Sequence, residues 1–156
     1  MTGMSGTGKS TALSMLGERG FRVVDTDSYG WSEWTMAADG GEGEWLWRED
    51  RIARLLASEG DEILYVSGCM SNQGKFYDQF DAIVLLSAPA DVILDRVQNR
   101  TTNDYGKGPG ERERILYHLR SVEPLLRATS THEIDASRPL HEVVDALMAI
   151  GQEIAS

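Results

Sequence analysis

Residues with the spacing of a phosphate-binding loop stand near the start of the chain. Gly3 and Gly8 lie five residues apart and are followed at once by Lys9 and Ser10. Glycines let the backbone curl so that successive N–H groups point at a phosphate, which the lysine then reaches while the hydroxyl binds Mg²⁺. A helical pattern begins directly after the motif, which favours this interpretation over a glycine-rich tail. The residues predicted to bind the nucleotide phosphates are Gly3, Ser5, Gly6, Thr7, Gly8, Lys9, Ser10 and Thr11.

Two carboxylates, Asp25 and Asp27, follow the next apolar segment of the chain. Residues 21–25 are rich in β-forming types, so this segment predicts a strand. Ligands of parallel α/β sheets bind beyond the carboxyl ends of the strands, which puts both carboxylates near the phosphate loop. We expect Asp25 to hold Mg²⁺ through water and Asp27 to accept the proton of an acceptor hydroxyl. The alternative is that both residues only cap the next helix.

Residues 29–50 contain all four tryptophans of the chain and a glycine-rich stretch at 39–43. An insert that is rich in aromatic residues and glycine is typical of a mobile flap that closes over a pocket. Packing of a small subdomain explains the tryptophans equally well, so both interpretations stay open. We expect an acceptor flap and its following helix over residues 29–56.

Candidate acceptor-binding residues come from this region and from the strand predicted over residues 62–68. A helix is predicted over 45–56, and Arg48 and Arg54 belong to a row of three arginines that share one side of it. We expect Arg48 to contact an anionic acceptor, and Arg54 to lie on a solvated face that pairs with acidic neighbours. Gly68 ends the strand predicted over 62–68 and permits a ligand to approach the backbone closely.

A polar, glycine-rich segment at 101–110 is predicted to be a loop, and Arg100 and Lys107 are its cations. A loop that closes over a nucleotide and brings positive charge to the transferring phosphate is a recurring device of phosphoryl transfer. We therefore expect a lid over residues 100–110, in which Lys107 contacts the nucleotide. An ordinary surface loop is the alternative. The residues that we expect to be catalytic are Lys9, Asp27 and Arg100.

Helical and strand patterns alternate along the chain and predict an α/β fold with a parallel sheet flanked by helices. Strands are predicted at 21–25, 62–68, 80–86 and 132–135, and helices at 9–18, from 89, at 111–127 with a kink or split at Pro124, and after Pro139. The length predicts one domain over residues 1–156. Only Met1 and Thr2 precede Gly3, so we expect the innermost strand to be missing or truncated, with a start further upstream as the hypothesis.

The chain is acidic, with a net charge of −10 and a pI near 4.7. A nucleic-acid partner needs a basic face, so the composition argues against one. No apolar run approaches the roughly 20 residues of a membrane span, and no signal segment opens the chain. The single cysteine, Cys69, cannot form an internal disulfide, which favours a reducing cytoplasm. The expected partner is a small-molecule acceptor, and the oligomeric state stays open.

Four parts of the sequence together resemble the P-loop small-molecule kinases of the nucleoside-monophosphate kinase fold, above all the shikimate-kinase and gluconate-kinase branch. These parts are the phosphate loop with Lys9 and Ser10, Asp25-Thr26-Asp27, Leu85-Leu86-Ser87-Ala88 with the later Arg96, and the run from Val122-Glu123-Pro124-Leu125-Leu126-Arg127 to Ile134-Asp135-Ala136-Ser137-Arg138-Pro139. The resemblance implies a three-layer P-loop fold of the AAA ATP-binding type, with ATP as phosphoryl donor. It also implies that Arg96 and Pro139 enclose the adenine. Asp25 and Asp27 match the family residues that serve Mg²⁺ and the acceptor hydroxyl.

Three departures from this family's pattern concern the acceptor side. Gly68 lies between Ser67 and Cys69, where shikimate kinases have three glycines, and Val122 replaces their carboxylate-binding arginine. Residues 103–107 replace their arginine-proline lid motif. We therefore predict a kinase that transfers the γ-phosphoryl group of ATP to a hydroxyl of a small molecule of another, unidentified kind. The alternatives are a nucleoside or nucleotide kinase, and an ATP-binding regulatory protein with little turnover.

Overall fold

The computed structural model describes residues 1–58, 60–101 and 104–155. Its α-helices are α1 (Lys9–Glu18), α2 (Glu49–Ala57), α3 (Ala90–Asn99), α4 (Glu111–Ser121), α5 (Glu123–Thr129) and α6 (Leu140–Ala155). Its strands are β1 (Arg22–Asp25), β2 (Ser32–Thr35), β3 (Glu44–Trp47), β4 (Leu64–Ser67), β5 (Val84–Ser87) and β6 (His132–Asp135), and a 3-10 helix covers Gln73–Gln79. Parallel strands alternate with helices along the chain, which confirms the predicted α/β fold.

The main sheet consists of two parallel strand pairs that the start of the chain joins. β1 pairs with β4, and β5 pairs with β6. Between these pairs, Thr2 forms a parallel bridge to β5. The N–H of Thr2 donates to the carbonyl oxygen of Val84 at 2.8 Å, and its own carbonyl oxygen accepts from the N–H of Leu86 at 2.9 Å. Thr2 therefore occupies the position of an innermost strand.

Met1 completes the connection on the side of β4. Its amine donates to the carbonyl oxygen of Val66 at 2.7 Å, and its carbonyl oxygen accepts from the N–H of Gly68 at 3.2 Å. The order across the sheet is therefore β1, β4, the two residues Met1 and Thr2, β5 and β6. Met1 and Thr2 thus bridge the strands on either side of them.

Side chains of β5 alternate between two apolar layers, as the period of a strand requires. Val84 and Leu86 pack in one cluster with residues of α1, β6 and α6, among them Leu16, Ile134 and Leu147. Leu85 faces the other side, where it packs with Met4 and Leu126. The sheet is therefore covered on both faces, which is the three-layer arrangement that the resemblance implies.

A cavity of about 430 Å³ lies beneath Met1, at the amino-terminal ends of β4 and β5. Its walls include Leu64, Val84 and Leu147. Met1 and Thr2 span only part of the length of the neighbouring strands, so the gap between these strands continues below them. This cavity lies at the end of the sheet opposite to the phosphate loop.

The flap is a β-hairpin, and the helix predicted over 45–56 is wrong over its first four residues. β2 and β3 pair antiparallel, with Trp34 directly opposite Trp45, and α2 begins only at Glu49. Aromatic side chains stabilise a strand when a cross-strand partner lies opposite them. That partner lies eleven residues earlier in the chain, so the arginine spacing alone does not distinguish the strand from a helix.

Hydrogen bonds tie the base of this hairpin to the end of β1. The indole N–H of Trp47 donates to Oγ1 of Thr26 at 2.9 Å, and Oγ of Ser32 donates to the carbonyl oxygen of Thr26 at 3.0 Å. The side-chain amide of Asn72 bonds both the N–H and the carbonyl oxygen of Trp47, each at 3.0 Å. Trp47 is buried, whereas Trp34 and Trp45 are exposed. Trp31 is half-buried and packs in the same cluster as Trp47, so two tryptophans pack the flap and two remain available on its surface.

The remaining predicted elements are largely confirmed. α1 and β6 have the predicted bounds, and the helix predicted over 111–127 is divided at Val122, next to Pro124. Residues 104–110 of the predicted lid form turns, whereas Thr102 and Asn103 lie outside the described residues. Within the described part of the chain, no helix has both the length and the apolar character that crossing a membrane requires.

Gly68 packs so closely that its substitution tests the attachment of the flap. A Cβ at this position would overlap Oγ1 of Thr26 and lie 3.1 Å from Nε1 of Trp47. We expect Gly68→Ala to lower the free energy of unfolding by about 1–3 kcal/mol, which is the usual cost of overpacking. Gly74→Ala is the matched control, because a Cβ there meets no described atom within 4 Å. Urea unfolding measures both effects, and a Gly68→Ala midpoint equal to that of the wild type would contradict the packing.

Candidate active site

The phosphate loop is curled by glycines that adopt left-handed backbone angles. Gly6 and Gly8 both have a φ of +88°, which side-chain-bearing residues rarely adopt. The curl is closed by Thr7, whose N–H and Oγ1 both donate to the carbonyl oxygen of Met4, at 3.3 and 2.9 Å. The loop leads directly into α1 at Lys9. This is the conformation that the glycine spacing predicts.

The ammonium group of Lys9 lies inside the curl of this loop. Its Nζ donates to the carbonyl oxygen of Gly3 at 2.6 Å and to that of Met4 at 3.1 Å. Burial lowers the pKa of the Lys9 ammonium, and the nearby carboxylates Asp27 and Asp25 oppose this effect. The loop itself therefore holds the lysine in place. Its ammonium group can donate to phosphate oxygens instead of these carbonyl oxygens when a phosphate enters the loop.

Ser10 and the two predicted carboxylates meet at the first turn of α1. Oγ of Ser10 lies 3.4 Å from Oδ2 of Asp25, and the N–H of Asp27 donates to Oδ1 of Asp25 at 3.0 Å. A hydroxyl and a carboxylate are ligands that suit Mg²⁺, which prefers oxygen and keeps several waters. The described residues contain no group of three or more His, Cys, Asp or Glu side chains that would hold a metal ion alone. The arrangement fits a Mg²⁺ that is bound partly by these two side chains and partly by phosphate oxygens of a nucleotide.

The second carboxylate, Asp27, is exposed at the edge of the cleft, but the walls of the cleft partly desolvate its carboxyl group. Burial raises the pKa of Asp27, the negative charge of Asp25 raises it further, and Lys9 opposes both effects. A carboxylate with a raised pKa is a stronger proton acceptor, which is the property that a base at this position requires.

The phosphate loop, Asp27 and three arginines line one cleft of about 890 Å³. Its lining consists of residues 3–11, Asp27, Cys69, Asp95, Arg96, Asn99, Arg100, Tyr105, Ile115, His118, Ala136, Arg138, Leu140 and Val143. The structure thus brings together most of the predicted nucleotide-contacting residues. Asn99, His118 and Arg138 were not among the predicted site residues, although Arg138 lies in the run that carries the resemblance, and all three reach the cleft only through folding.

Arg100 connects the phosphate loop to the described part of the lid. Its Nη2 donates to the carbonyl oxygen of Tyr105 at 2.6 Å and lies 3.4 Å from Oγ of Ser5. Nζ of Lys107 donates to the carbonyl oxygen of Arg100 and lies 3.7 Å from a carboxylate oxygen of Asp104. Lys107 is thus turned onto the chain of the lid, away from the lining of the cleft.

Three other predicted site residues are not part of the lining of this cleft. Arg48 precedes α2, with its Nε 3.9 Å from a carboxylate oxygen of Glu33. Gly68 faces Thr26 and Trp47 closely, as described above. Pro139 precedes α6, and both of its chain neighbours line the cleft. Their roles in binding remain predictions.

A parallel α/β sheet with a phosphate loop after its innermost strand defines a P-loop fold of the shikimate-kinase and gluconate-kinase type. The chain belongs to the AAA domain family, whose family model matches residues 1–117. Shikimate kinase 2 from Yersinia enterocolitica is 26% identical over 96% of this chain and 92% of its own length.

Solved structures show the same fold. The shikimate kinase from Bacteroides thetaiotaomicron superposes with a TM-score of 0.66 at 15% identity, over 96% of this chain and 94% of its own. A gluconokinase from Sinorhizobium meliloti gives a TM-score of 0.62 at 20% identity, over 99% of this chain and 90% of its own. These findings confirm the resemblance that the sequence motifs predict.

The raised pKa of Asp27 can be measured directly. In the protein without divalent cations, a carboxyl NMR titration should give Asp27 a pKa above the usual aspartate range. Asp25→Asn removes one of the two causes and keeps an oxygen for the N–H of Asp27, so the pKa of Asp27 should fall. Asp78→Asn, on the exposed 3-10 helix, should leave it unchanged. A wild-type pKa at or below the ordinary aspartate value would contradict this environment.

Proposed function

We propose that this protein is an ATP-dependent kinase that transfers the γ-phosphoryl group to a hydroxyl of a small molecule. The observation that carries the proposal is the meeting of the phosphate loop, the Ser10–Asp25 pair and Asp27 at one cleft. The relative and the solved structures described above are small-molecule kinases, which supports the same reaction class. The free thiol of Cys69 suits a reducing compartment such as the cytoplasm.

Positive charge for the transfer comes from the loop and the lid. Phosphoryl transfer needs mainly positioning and neutralisation of charge on the phosphate oxygens. Lys9 binds the phosphates together with the loop N–H groups, and Arg100 adds its guanidinium charge from the lid. Ser10 and Asp25 hold Mg²⁺, which supplies further positive charge to the phosphates. Lys107 belongs to the same lid. Its ammonium group contacts the nucleotide after it releases the carbonyl oxygen of Arg100.

Asp27 acts on the acceptor. The acceptor hydroxyl oxygen attacks the γ-phosphorus, its proton passes to Asp27, and the bond between that phosphorus and the β–γ bridging oxygen breaks to release ADP. Arg48 donates to an oxygen of the acceptor, and Gly68 borders the acceptor on the backbone side. Arg96 and Pro139 enclose the adenine.

Two other functions are distinguished from this one by the acceptor that is phosphorylated and by whether any acceptor stimulates ADP release. A nucleoside or nucleotide kinase uses the same phosphate-side residues and differs only in the acceptor, and the exposed flap tryptophans are compatible with a nucleobase. An ATP-binding regulatory protein binds the nucleotide, and no acceptor stimulates its release of ADP. A coupled assay of ADP release over a panel of hydroxyl compounds, nucleosides and nucleoside monophosphates therefore distinguishes all three.

Lys9→Ala should abolish phosphoryl transfer, because it removes the cation that contacts the phosphates. We expect acceptor-stimulated ADP release to fall by about 100-fold or more, the scale on which removal of one transition-state donor acts. Lys75→Ala is the matched control, since Lys75 is exposed and pairs with Glu49. Its activity should stay close to that of the wild type. Near-normal activity of Lys9→Ala, with an unchanged urea midpoint, would show that the proposed mechanism is wrong.

A further inference from the structure

The flap carries a tryptophan pair that the rest of the described protein leaves uncovered. Trp34 and Trp45 lie opposite each other on β2 and β3, with ring centroids 6.0 Å apart and an interplanar angle of 77°. They are 54% and 57% exposed. Large aromatic side chains usually bury most of their area, so two adjacent half-exposed indoles indicate a binding surface.

The direction of this surface follows from the alternation of side chains along a strand. Residues two apart on β3 point to the same face, so Trp45 projects on the side of Trp47. The indole N–H of Trp47 donates to the side chain of Thr26, which lies between Asp25 and Asp27 in the chain. The same indole packs beside Gly68, where a Cβ would lie 3.1 Å from its nitrogen. The turn that carries Asp27 therefore meets this face of the hairpin at the buried Trp47, and the exposed indoles lie about 7 Å further out, the length of two strand residues.

The hairpin holds this face in a defined position. Its base is fixed by the hydrogen bonds of Trp47, Asn72 and Ser32 described above. Near its tip, the ring of Trp34 rests on the backbone of Gly43, where a Cβ would lie 2.7 Å from the indole nitrogen. The indoles are thus supported from the protein side and present their free area to the outside.

Charges around this face do not favour an anion. Arg48 lies 3.9 Å from Glu33, Arg51 donates to the carbonyl oxygen of Gly30 at 2.9 Å, and Lys75 pairs with Glu49 at 3.1 Å. Arg51 and Lys75 are therefore engaged by the protein, and the long Arg48–Glu33 contact leaves Arg48 to donate to a hydroxyl oxygen of the acceptor, as proposed above. The carboxylates of Asp25 and Asp27 stand at its inner end and repel a negatively charged group.

We propose that the acceptor is an uncharged, ring-shaped hydroxyl compound that lies on Trp34 and Trp45 and presents one hydroxyl to Asp27. This inference rests on the proposed kinase function and names the substrate class of that site. An indole packs against the apolar face of a ring, whether this is the C–H face of a puckered ring or the plane of a flat one, and the contact needs no charge on the ligand. A sugar ring and the base of a nucleoside share this chemistry.

Matched acceptor pairs test the charge and the shape of the ligand. ADP release from MgATP is measured with glucose against glucuronate, with adenosine and uridine against their monophosphates, and with the open-chain sorbitol against glucose. We expect an uncharged ring compound to give a kcat/KM at least about tenfold above that of its charged partner, the scale of one lost favourable contact or one like-charge contact. Preference for sugars or for nucleosides identifies the source of the ring. A preference for the charged partners, or equal use of sorbitol and glucose, would overturn the inference while the kinase function stands.

Variants of the flap test the stacking itself. Trp34→Ala and Trp45→Ala should each lower kcat/KM for the acceptor by about tenfold or more, the range that stacking on an aromatic side chain covers. The KM for ATP should not change, and Trp45→Phe should retain most of the activity because it keeps a ring. Leu125→Ala, which removes an equally exposed apolar side chain from α5, is the control. Full activity of both alanine variants would contradict the proposed surface.

If no compound of the panel is phosphorylated, a direct measurement of ligand binding tests the inference. Uncharged ring compounds should quench the tryptophan fluorescence of the wild type more than that of the double variant Trp34→Ala/Trp45→Ala. If no compound of the panel changes the fluorescence, the inference is wrong. Binding of MgATP that Lys9→Ala abolishes would then still support the proposed function, so the two failures are distinguishable.

Discussion

Two backbone hydrogen bonds of Thr2 hold the sheet and the phosphate loop together. They attach Thr2 to Val84 and Leu86 of β5, while Met1 makes the corresponding bonds to β4. The next residue, Gly3, then leaves the sheet so close to Leu86 that a Cβ would overlap its carbonyl oxygen, and its φ is +154°. Only glycine suits this position without strain. The loop is therefore fixed at its start by the sheet and at its end by α1, and Lys9 is positioned between them.

Local patterns were sufficient to predict the phosphate side of the site. The loop glycines, Lys9 and Ser10 form a motif whose spacing is fixed by the geometry of phosphate binding, so it is recognisable without tertiary information. α1 is delimited by this motif and by Gly20, which has a positive φ of +94°. Asp25 and Asp27 follow from the rule that the ends of parallel strands meet at one edge. The order of strands and helices followed from hydrophobic periodicity in the same way.

Long-range contacts decided what the sequence did not predict. Residues 45–47 became a strand because β2 lies opposite them and because Trp47 reaches Thr26, 21 residues earlier in the chain. Asn99 and His118 join the cleft from segments that carry no motif. The close packing of Gly68 against Thr26 and Trp47 is likewise a product of the fold. Such contacts depend on the flap and the sheet being assembled, so composition and spacing do not reveal them.

The measurement that tests the central claim most directly is calorimetric titration of ATP into the 156-residue chain, with and without Mg²⁺. The bonds of Met1 and Thr2 to the neighbouring strands fix the start of the phosphate loop in a form that binds nucleotide. This arrangement predicts saturable binding of one ATP per chain that becomes tighter when Mg²⁺ is present, because Ser10 and Asp25 then contribute through the metal. Absence of binding under both conditions, by a chain with a cooperative urea transition, would show that the loop does not bind nucleotide and would contradict the account.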